Sequence, residues 1–506
     1  GMKRLSFSAA EWEIQQDVFT RKAKFAYIPP RYEGLMMDYF FDQPGALMWF
    51  GQRTPPIKPE WKDRRLELEI ENIPPFEAEE LMTPEDSEKM VVHLVYCAAE
   101  VKDQEGYWRK ECENWQKAVE GFIGKTDKLV PEAQKLVAGT DDPVEKLKRL
   151  YERAQGIRNL SYEKYISPKE RKAQKLKDNT KVADVWERGY GYRSDITRFF
   201  IALARAAGFE AEAVRVSTRD DKLFMIMNPS FSTQLDSELA KVKVGDRELL
   251  FDPATPFCPF SLVHWSRSNA TAIRYSQSPP AFFTTSVYPP DLALTQREIA
   301  LQLSPEGDLT GTVKASYIGH EALIRRLDYR HSDETDRKES FEKELAGVLP
   351  AGSTVTMKRL ENIDNSAPAL VVEYEVALPG LGTAAGERML LPISPLLGSD
   401  QYPFRHSQRK YPVYFPFPFR EFNDIVITLP EGMTVETRPE PRKNERDNFF
   451  YSLVCRQEAP QKLHIQRDLV VKKCFHPANQ YKAVKDFYDA VRTNDEEQLV
   501  LAKEKK

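Results

Sequence analysis

Apolar residues recur at helical spacing through DITRFFIALARAAGF. Ile196, Phe199, Phe200, Leu203, Ala204 and Ala207 fall on successive turns, and Gly208 follows where a left-handed cap is wanted. This predicts a buried helix over 195–207. In DDPVEKLKRLYERAQG, a stripe of Val144, Leu147, Leu150, Tyr151 and Ala154 follows a capping Asp141 or Asp142 and a Pro143 suited to the first helical position. WRKECENWQKAVEGFIG and VPEAQKLVAG predict weaker helices before it. After Gly208 the period changes. EAEAVRV, ELAKVKV and RELLFDP read as strands, the last two joined by a turn at Gly245 and Asp246.

The flanks are β-rich. Upstream, WEIQQDVF, AKFAYI and RRLELEI are short strand-like runs separated by turn clusters, too few for an independent domain. Downstream, REIALQLSPEGDLTGTVKASYIG predicts a hairpin, and ALVVEYEVAL, DIVITLP and KLHIQRDLVV predict further strands. HEALIRRLDYRH and KESFEKELAGVL form a helical insertion, and NQYKAVKDFYDAVRTNDEEQLVL reads as a closing amphipathic helix. YPVYFPFPF, residues 411–419, reads as edge-strand packing or an exposed recognition strip. The class is α+β. The expected division is 1–83 as the β-rich end of an N-terminal domain, 84–285 as an α+β core, and 286–506 as a β-sandwich-like domain with a helical insertion and a terminal helix.

Composition narrows the function. With 506 residues, 30% charged, 41% hydrophobic and a net charge of −4 with both signs interspersed, the chain carries no basic footprint for nucleic acid. No run is long and apolar enough to span a bilayer. GMKRLSFSAAEWEIQQ has no apolar leader segment, and Gly1 before Met2 looks like the remnant of a tag, which leaves room for a removed export signal. The five cysteines, Cys97, Cys112, Cys258, Cys455 and Cys474, form no framework; only Cys97 and Cys112 lie near enough to suggest a bridge. The seven histidines show no metal-ligand spacing, so neither a metal nor another cofactor is expected.

The chemistry concentrates at GYGYRSD. A glycine-flanked turn feeds the start of a buried helix, where the macrodipole would favour a thiolate, yet the turn delivers Tyr192 and Arg193. With the apolar helix, the Arg-Ala-Ala-Gly that ends it and the following strand, this segment resembles the core of bacterial transglutaminase-like domains, of papain-like cysteine fold. ELLFDPAT resembles that family's Asp-Pro element. The upstream β segment and the region from 291 onward resemble the domains of unknown function that flank such cores in exported bacterial proteins.

The resemblance implies a Cys–His–Asp triad, and this chain departs from it. Arg193 falls at the nucleophile position, the histidine position falls near Asp236, Ser237 or Glu238, and Asp252 occupies the third position. There is no cysteine from 113 to 257 and no histidine from 94 to 263. A thiol nucleophile needs a neighbouring base, and a guanidinium supplies no nucleophilic lone pair. Arg193 is expected either to pair with Asp195 or Asp252 and fill the cleft, or to form an anion site with the helix-start N–H groups. Ser194 is expected to cap the helix rather than act as a displaced nucleophile. Tyr190, Tyr192 and Trp186 either line a groove or belong to the core. Cys258 and His264 are six residues apart, about 20 Å on an extended chain, so a relocated pair would need a fold-back.

The reading favoured by these residues is a non-catalytic transglutaminase-like protein, exported to the periplasm or beyond, that binds a peptide, a glycan or a cell-envelope protein through Tyr190, Tyr192, Arg193 and Asp252. An active hydrolase or acyl transferase with a relocated nucleophile, and a purely structural spacer, are the alternatives.

Overall fold

The computed structural model describes residues 6–28, 47–63, 65–97, 104–225, 231–260, 262–274, 281–394 and 402–503. The chain gathers into two compact units, one formed by residues 1–256 with 266–286 and the other by 257–265 with 287–506.

The first unit opens on two three-stranded sheets. β1 (Ser6–Glu13) and β3 (Leu47–Gln52) flank β6 (Val91–Cys97), and β2 (Thr20–Tyr27) and β4 (Glu60–Lys62) flank β5 (Arg65–Ile73). Each sheet offers one apolar face, and the two faces share a core. Trp12, Ile14, Val92 and Leu94 from the first meet Leu66, Leu68 and Ile73 from the second. The middle strand of the first sheet therefore lies beyond residue 83.

The α+β part of this unit follows the predicted periods. Helix α1 (Gln104–Ile123) precedes α2 (Val130–Val137), α3 (Pro143–Gln155), α4 (Val182–Arg188) and α5 (Arg193–Ala206). Asp142 caps α3 by accepting from the Val144 N–H at 3.0 Å. Leu147, Leu150, Tyr151 and Ala154 are buried, whereas Val144 faces solvent, because the first turn of α3 projects past the core. Beside these helices lies an antiparallel sheet of order β9-β8-β7-β10-β11, comprising β7 (Ala211–Val216), β8 (Ser237–Val244), β9 (Arg247–Phe251), β10 (Thr271–Arg274) and β11 (Ala281–Thr284). α5 is buried from Asp195 to Ala204 apart from Arg198, which makes it the central helix. The backbone leaves it at Gly208, with φ +93°.

The second unit is built on an eight-stranded sheet. Its order is β14-β15-β13-β12-β18-β22-β21-β20, comprising β12 (Ala293–Leu303), β13 (Leu309–Gly319), β14 (Thr354–Glu361), β15 (Leu370–Leu378), β18 (Phe419–Thr428), β20 (Arg442–Arg446), β21 (Phe449–Ala459) and β22 (Lys462–Val471). The predicted hairpin is β12–β13, and β12 also pairs in parallel with β18. Helices α6 (His320–Asp328) and α7 (Glu334–Ala346) are the insertion. The tail corrects the sequence reading. Helix α8 (Tyr481–Asp495) stops, and Gln498–Lys503 is strand β23, paired between β17 (Arg388–Pro392) and β19 (Met433–Thr437) in a sheet that β16 (Thr383–Ala385) completes. Leu499 and Leu501 alternate into the core there. YPVYFPFPF is core: Tyr411, Val413, Tyr414, Phe415 and Phe417 are buried, and Val413–Tyr414 pairs with Phe475–His476. No described helix is long and apolar enough to cross a membrane.

Candidate anion-binding cavity at the start of the central helix

Two glycines set the entry to α5. Gly189, at φ +70°, ends α4 in the left-handed region that glycine tolerates. At Gly191 a Cβ would meet the Asp195 Cβ at 2.9 Å, so the turn closes against the helix only without a side chain. The helix begins two residues earlier than its apolar pattern. Arg193 is its first residue and Tyr192 its N-cap, so Ser194 sits inside the first turn and does not cap. The cap is supplied from within: the Tyr192 N–H donates to Asp195 Oδ2 at 3.1 Å. Asn179 Nδ2 donates to the same oxygen at 3.2 Å. Burial pushes the Asp195 carboxyl above its ordinary range, and these two donors work against that push.

Arg193 makes no ion pair with any described residue. Its N–H donates to Ser161 Oγ at 3.0 Å, its Nη2 lies 3.5 Å from the Tyr162 hydroxyl, and its guanidinium stands 5.3 Å over the Tyr162 ring. Its Nε is buried without a hydrogen-bond partner among the described residues. The side chain lines a cavity of about 790 Å³, within the range of small-ligand sites. α1 contributes Glu111, Asn114, Trp115 and Ala118 at helical spacing; α5 contributes Arg193, Ser194 and Arg198; β7 and β8 contribute Arg215, Ser237 and Glu238. Ser161, Tyr192, Thr233, Leu235 and Asp236 complete the wall.

Part of this wall is internally neutralised. Arg198 holds Glu238 through two bonds of 3.0 and 2.6 Å, and the Trp115 indole donates to Glu238 at 3.0 Å. Arg215 donates to the Leu235 carbonyl at 3.1 and 2.7 Å. Ser237 is the exception. It is 4% exposed, and its Oγ has no hydrogen-bond partner among the described residues. A buried polar group left unmet costs about 1–3 kcal/mol.

Asp252 pairs with a different arginine from Arg193. Its Oδ2 accepts from Arg267 Nε at 3.1 Å and Nη2 at 2.9 Å, and its Oδ1 accepts from Thr255 Oγ1 at 3.0 Å. Asp252 is 1% and Arg267 2% exposed. Burial alone would lower the Arg267 pKa, but Asp252 holds it above its ordinary value. The carboxylate is thus engaged by a guanidinium from a loop 15 residues further on, and Asp252 is not among the lining residues. Tyr162 stands between the two arginines: its hydroxyl is 3.4 Å from Thr255 Oγ1 and bonds Arg267.

Of the aromatic candidates, Tyr192 lines the cavity with its hydroxyl bonded by Arg171. The Tyr190 hydroxyl accepts from the Lys177 N–H at 2.8 Å and donates to the Lys177 carbonyl at 3.2 Å, which pins it to a loop away from the lining set. Trp186 is half-buried in α4 and does not line the cavity. Cys258 belongs to the second unit, is 0% exposed and donates its thiol to the Leu262 carbonyl at 3.3 Å. The His264 ring lies 5.8 Å from that of Trp265. Cys112 is a free thiol, pushed up to about 12 by burial. Sequence reasoning missed Glu111, Trp115 and the Arg198–Glu238 pair. Glu111 and Trp115 sit among the many polar positions of α1, and nothing in the sequence pairs Arg198 with Glu238.

Residues 132–241 match the Transglutaminase-like superfamily. Residues 387–501 match DUF3858, a domain of unknown function with a solved structure. The chain thus carries a transglutaminase-like core domain and, separately, a DUF3858 domain. Among curated proteins none matches the chain. Among solved structures, one from Parabacteroides distasonis, named as a candidate protease, aligns over 98% of this chain and 75% of its own at 12% identity, with a TM-score of 0.53. That likeness is one of fold. One from Cytophaga hutchinsonii, named as a candidate cysteine protease, aligns over 56% of this chain and 89% of its own at 12% identity; its TM-score of 0.22 carries no argument.

Proposed function

We propose that this protein is a non-catalytic member of the transglutaminase-like group and that its core binds a carboxylate-bearing ligand, a peptide in preference to a glycan. The observation that carries this reading is Arg193: a cation at a helix start, lining a cavity, with no carboxylate within 4 Å among the described residues. A guanidinium at the positive end of a helix suits a carboxylate geometrically and electrostatically. In the alignment drawn from the resemblance, Arg193 takes the position of the nucleophile, and the position of the base falls near Asp236, Ser237 or Glu238. The absence of cysteine over 113–257 and of histidine over 94–263 supports the loss of cysteine chemistry. The name of the Parabacteroides structure favours a peptide as the ligand class. An exported location belongs to the same proposal and rests on the resemblance alone.

The test compares two probes on the intact chain by ligand-observed NMR: N-acetyl-trialanine, which carries a carboxylate, and its C-terminal amide, which does not. Binding of the acid and not the amide is expected. Equal binding of both would contradict the anion reading. Peptidase or transamidase activity that alkylation abolishes would establish the rival, a relocated cysteine nucleophile.

A further inference from the structure

The lining of the cavity holds charges of both signs that the protein leaves without a counter-ion. Glu111, half-buried on the α1 face that also presents Asn114, Trp115 and Ala118, makes no ion pair or side-chain hydrogen bond with a described residue. Asp236 accepts from the Thr218 N–H at 2.9 Å and the Thr218 hydroxyl at 2.6 Å, and meets no cation among the described residues. Arg193 lines the same cavity. The remaining charged lining residues are engaged, Arg198 with Glu238 and Arg215 with the Leu235 carbonyl. A purely anionic ligand would satisfy Arg193 and face two uncompensated carboxylates. A purely cationic one would do the reverse. Ser237 adds an independent requirement: its hydroxyl, in a side chain more than nine-tenths buried in the cavity wall, has no partner among the described residues, and a ligand that brings its own hydrogen-bonding group supplies one.

We infer that the cavity is built for a bipolar ligand, one that carries a carboxylate for Arg193 and an ammonium for Glu111 and Asp236. A short peptide with both ends free, or a free amino acid, has that chemistry. The inference rests on the carboxylate reading of Arg193 and adds the second pole. Charge complementarity at two ends also fixes the direction in which the ligand lies, and it rejects peptides capped at either end. The volume of about 790 Å³ accommodates a few residues and excludes a folded protein.

The experiment measures dissociation constants for trialanine, N-acetyl-trialanine and trialanine amide, with wild type, Glu111→Gln and Arg193→Gln. Thermal melting confirms that each variant is folded. Trialanine is expected to bind about tenfold more tightly than either capped form, since each pole contributes on the order of one charge-assisted contact. Glu111→Gln should shrink the gap between trialanine and N-acetyl-trialanine to under twofold. Arg193→Gln should shrink the gap between trialanine and its amide. If the acetylated peptide binds as well as the free one, the bipolar inference is overturned while the anion reading stands. If neither carboxylate-bearing probe binds, or if Arg193→Gln changes nothing, the anion reading itself is overturned and this inference goes with it.

Discussion

Replacing Arg267 by alanine should be among the most damaging single changes in the core. Arg267 and Asp252 are 2% and 1% exposed and share two hydrogen bonds of 3.1 and 2.9 Å. The substitution would strip both of these bonds from the buried Asp252 carboxylate, which keeps the Thr255 hydroxyl at 3.0 Å. Breaking a buried ion pair by removing one partner costs about 3–5 kcal/mol. For a unit of this size that corresponds to a fall in melting temperature of roughly 6–20 °C. Urea denaturation with linear extrapolation, supported by calorimetry, measures the loss. The double variant Arg267→Met with Asp252→Leu replaces both charges by apolar groups and should recover most of it, because the intact buried pair contributes little on net. A loss below about 1 kcal/mol in the single variant, or a double variant as unstable as the single one, would refute the assignment of Arg267 as the partner that makes Asp252 tolerable.

Phe200→Ala should destabilise by about 3–5 kcal/mol, since the ring is fully buried against Tyr151 and Phe251; chemical denaturation reads this directly. Cys112, Cys258, Cys455 and Cys474 are buried thiols outside any disulfide, so in a Cys97→Ser background a thiol reagent should label the native protein only after unfolding. Rapid native labelling at Cys258 would reopen the nucleophile alternative. The hydrogen bond from buried His93 at 2.8 Å lowers the Glu11 pKa below 4.5, against the opposing effect of burial. A carboxyl depressed in the folded state stabilises above its unfolded pKa and loses that contribution as pH falls through the folded one. The stability gap between wild type and Glu11→Gln should therefore close as pH drops below about 4.5, and a gap independent of pH would contradict the assignment.

The parts of the fold with a strong period were legible in the sequence. Helix α5 announces itself because Ile196, Phe199, Phe200 and Leu203 all face a core, and the β12–β13 hairpin because Leu303 and Leu309 bracket a turn of fixed chemistry. What failed lay where local signals end. Gln498–Lys503 has only a few alternating positions directly after a helix, and its strand character comes from partners at 388–392 and 433–437. The first helical turn escaped the apolar pattern because Tyr192, Arg193 and Ser194 are polar surface of the cavity, so Ser194 was mistaken for the cap that Asp195 and Tyr192 form. Asp252 is buried against Arg267, a partner from an aperiodic loop that no spacing rule reaches.

The central claim is that Arg193 is held free for a ligand rather than used to hold the fold. The most direct measurement is Arg193→Ala, with its melting temperature and its affinity for N-acetyl-trialanine determined on the same preparation. Because Arg193 has no ion pair among the described residues and only a long contact to Tyr162, the melting temperature should move by no more than about 2–4 °C, the equivalent of ~1 kcal/mol, while binding of the acetylated peptide is lost. A large fall in melting temperature with binding intact would show instead that Arg193 is a structural residue and that the cavity beside it binds nothing through its charge.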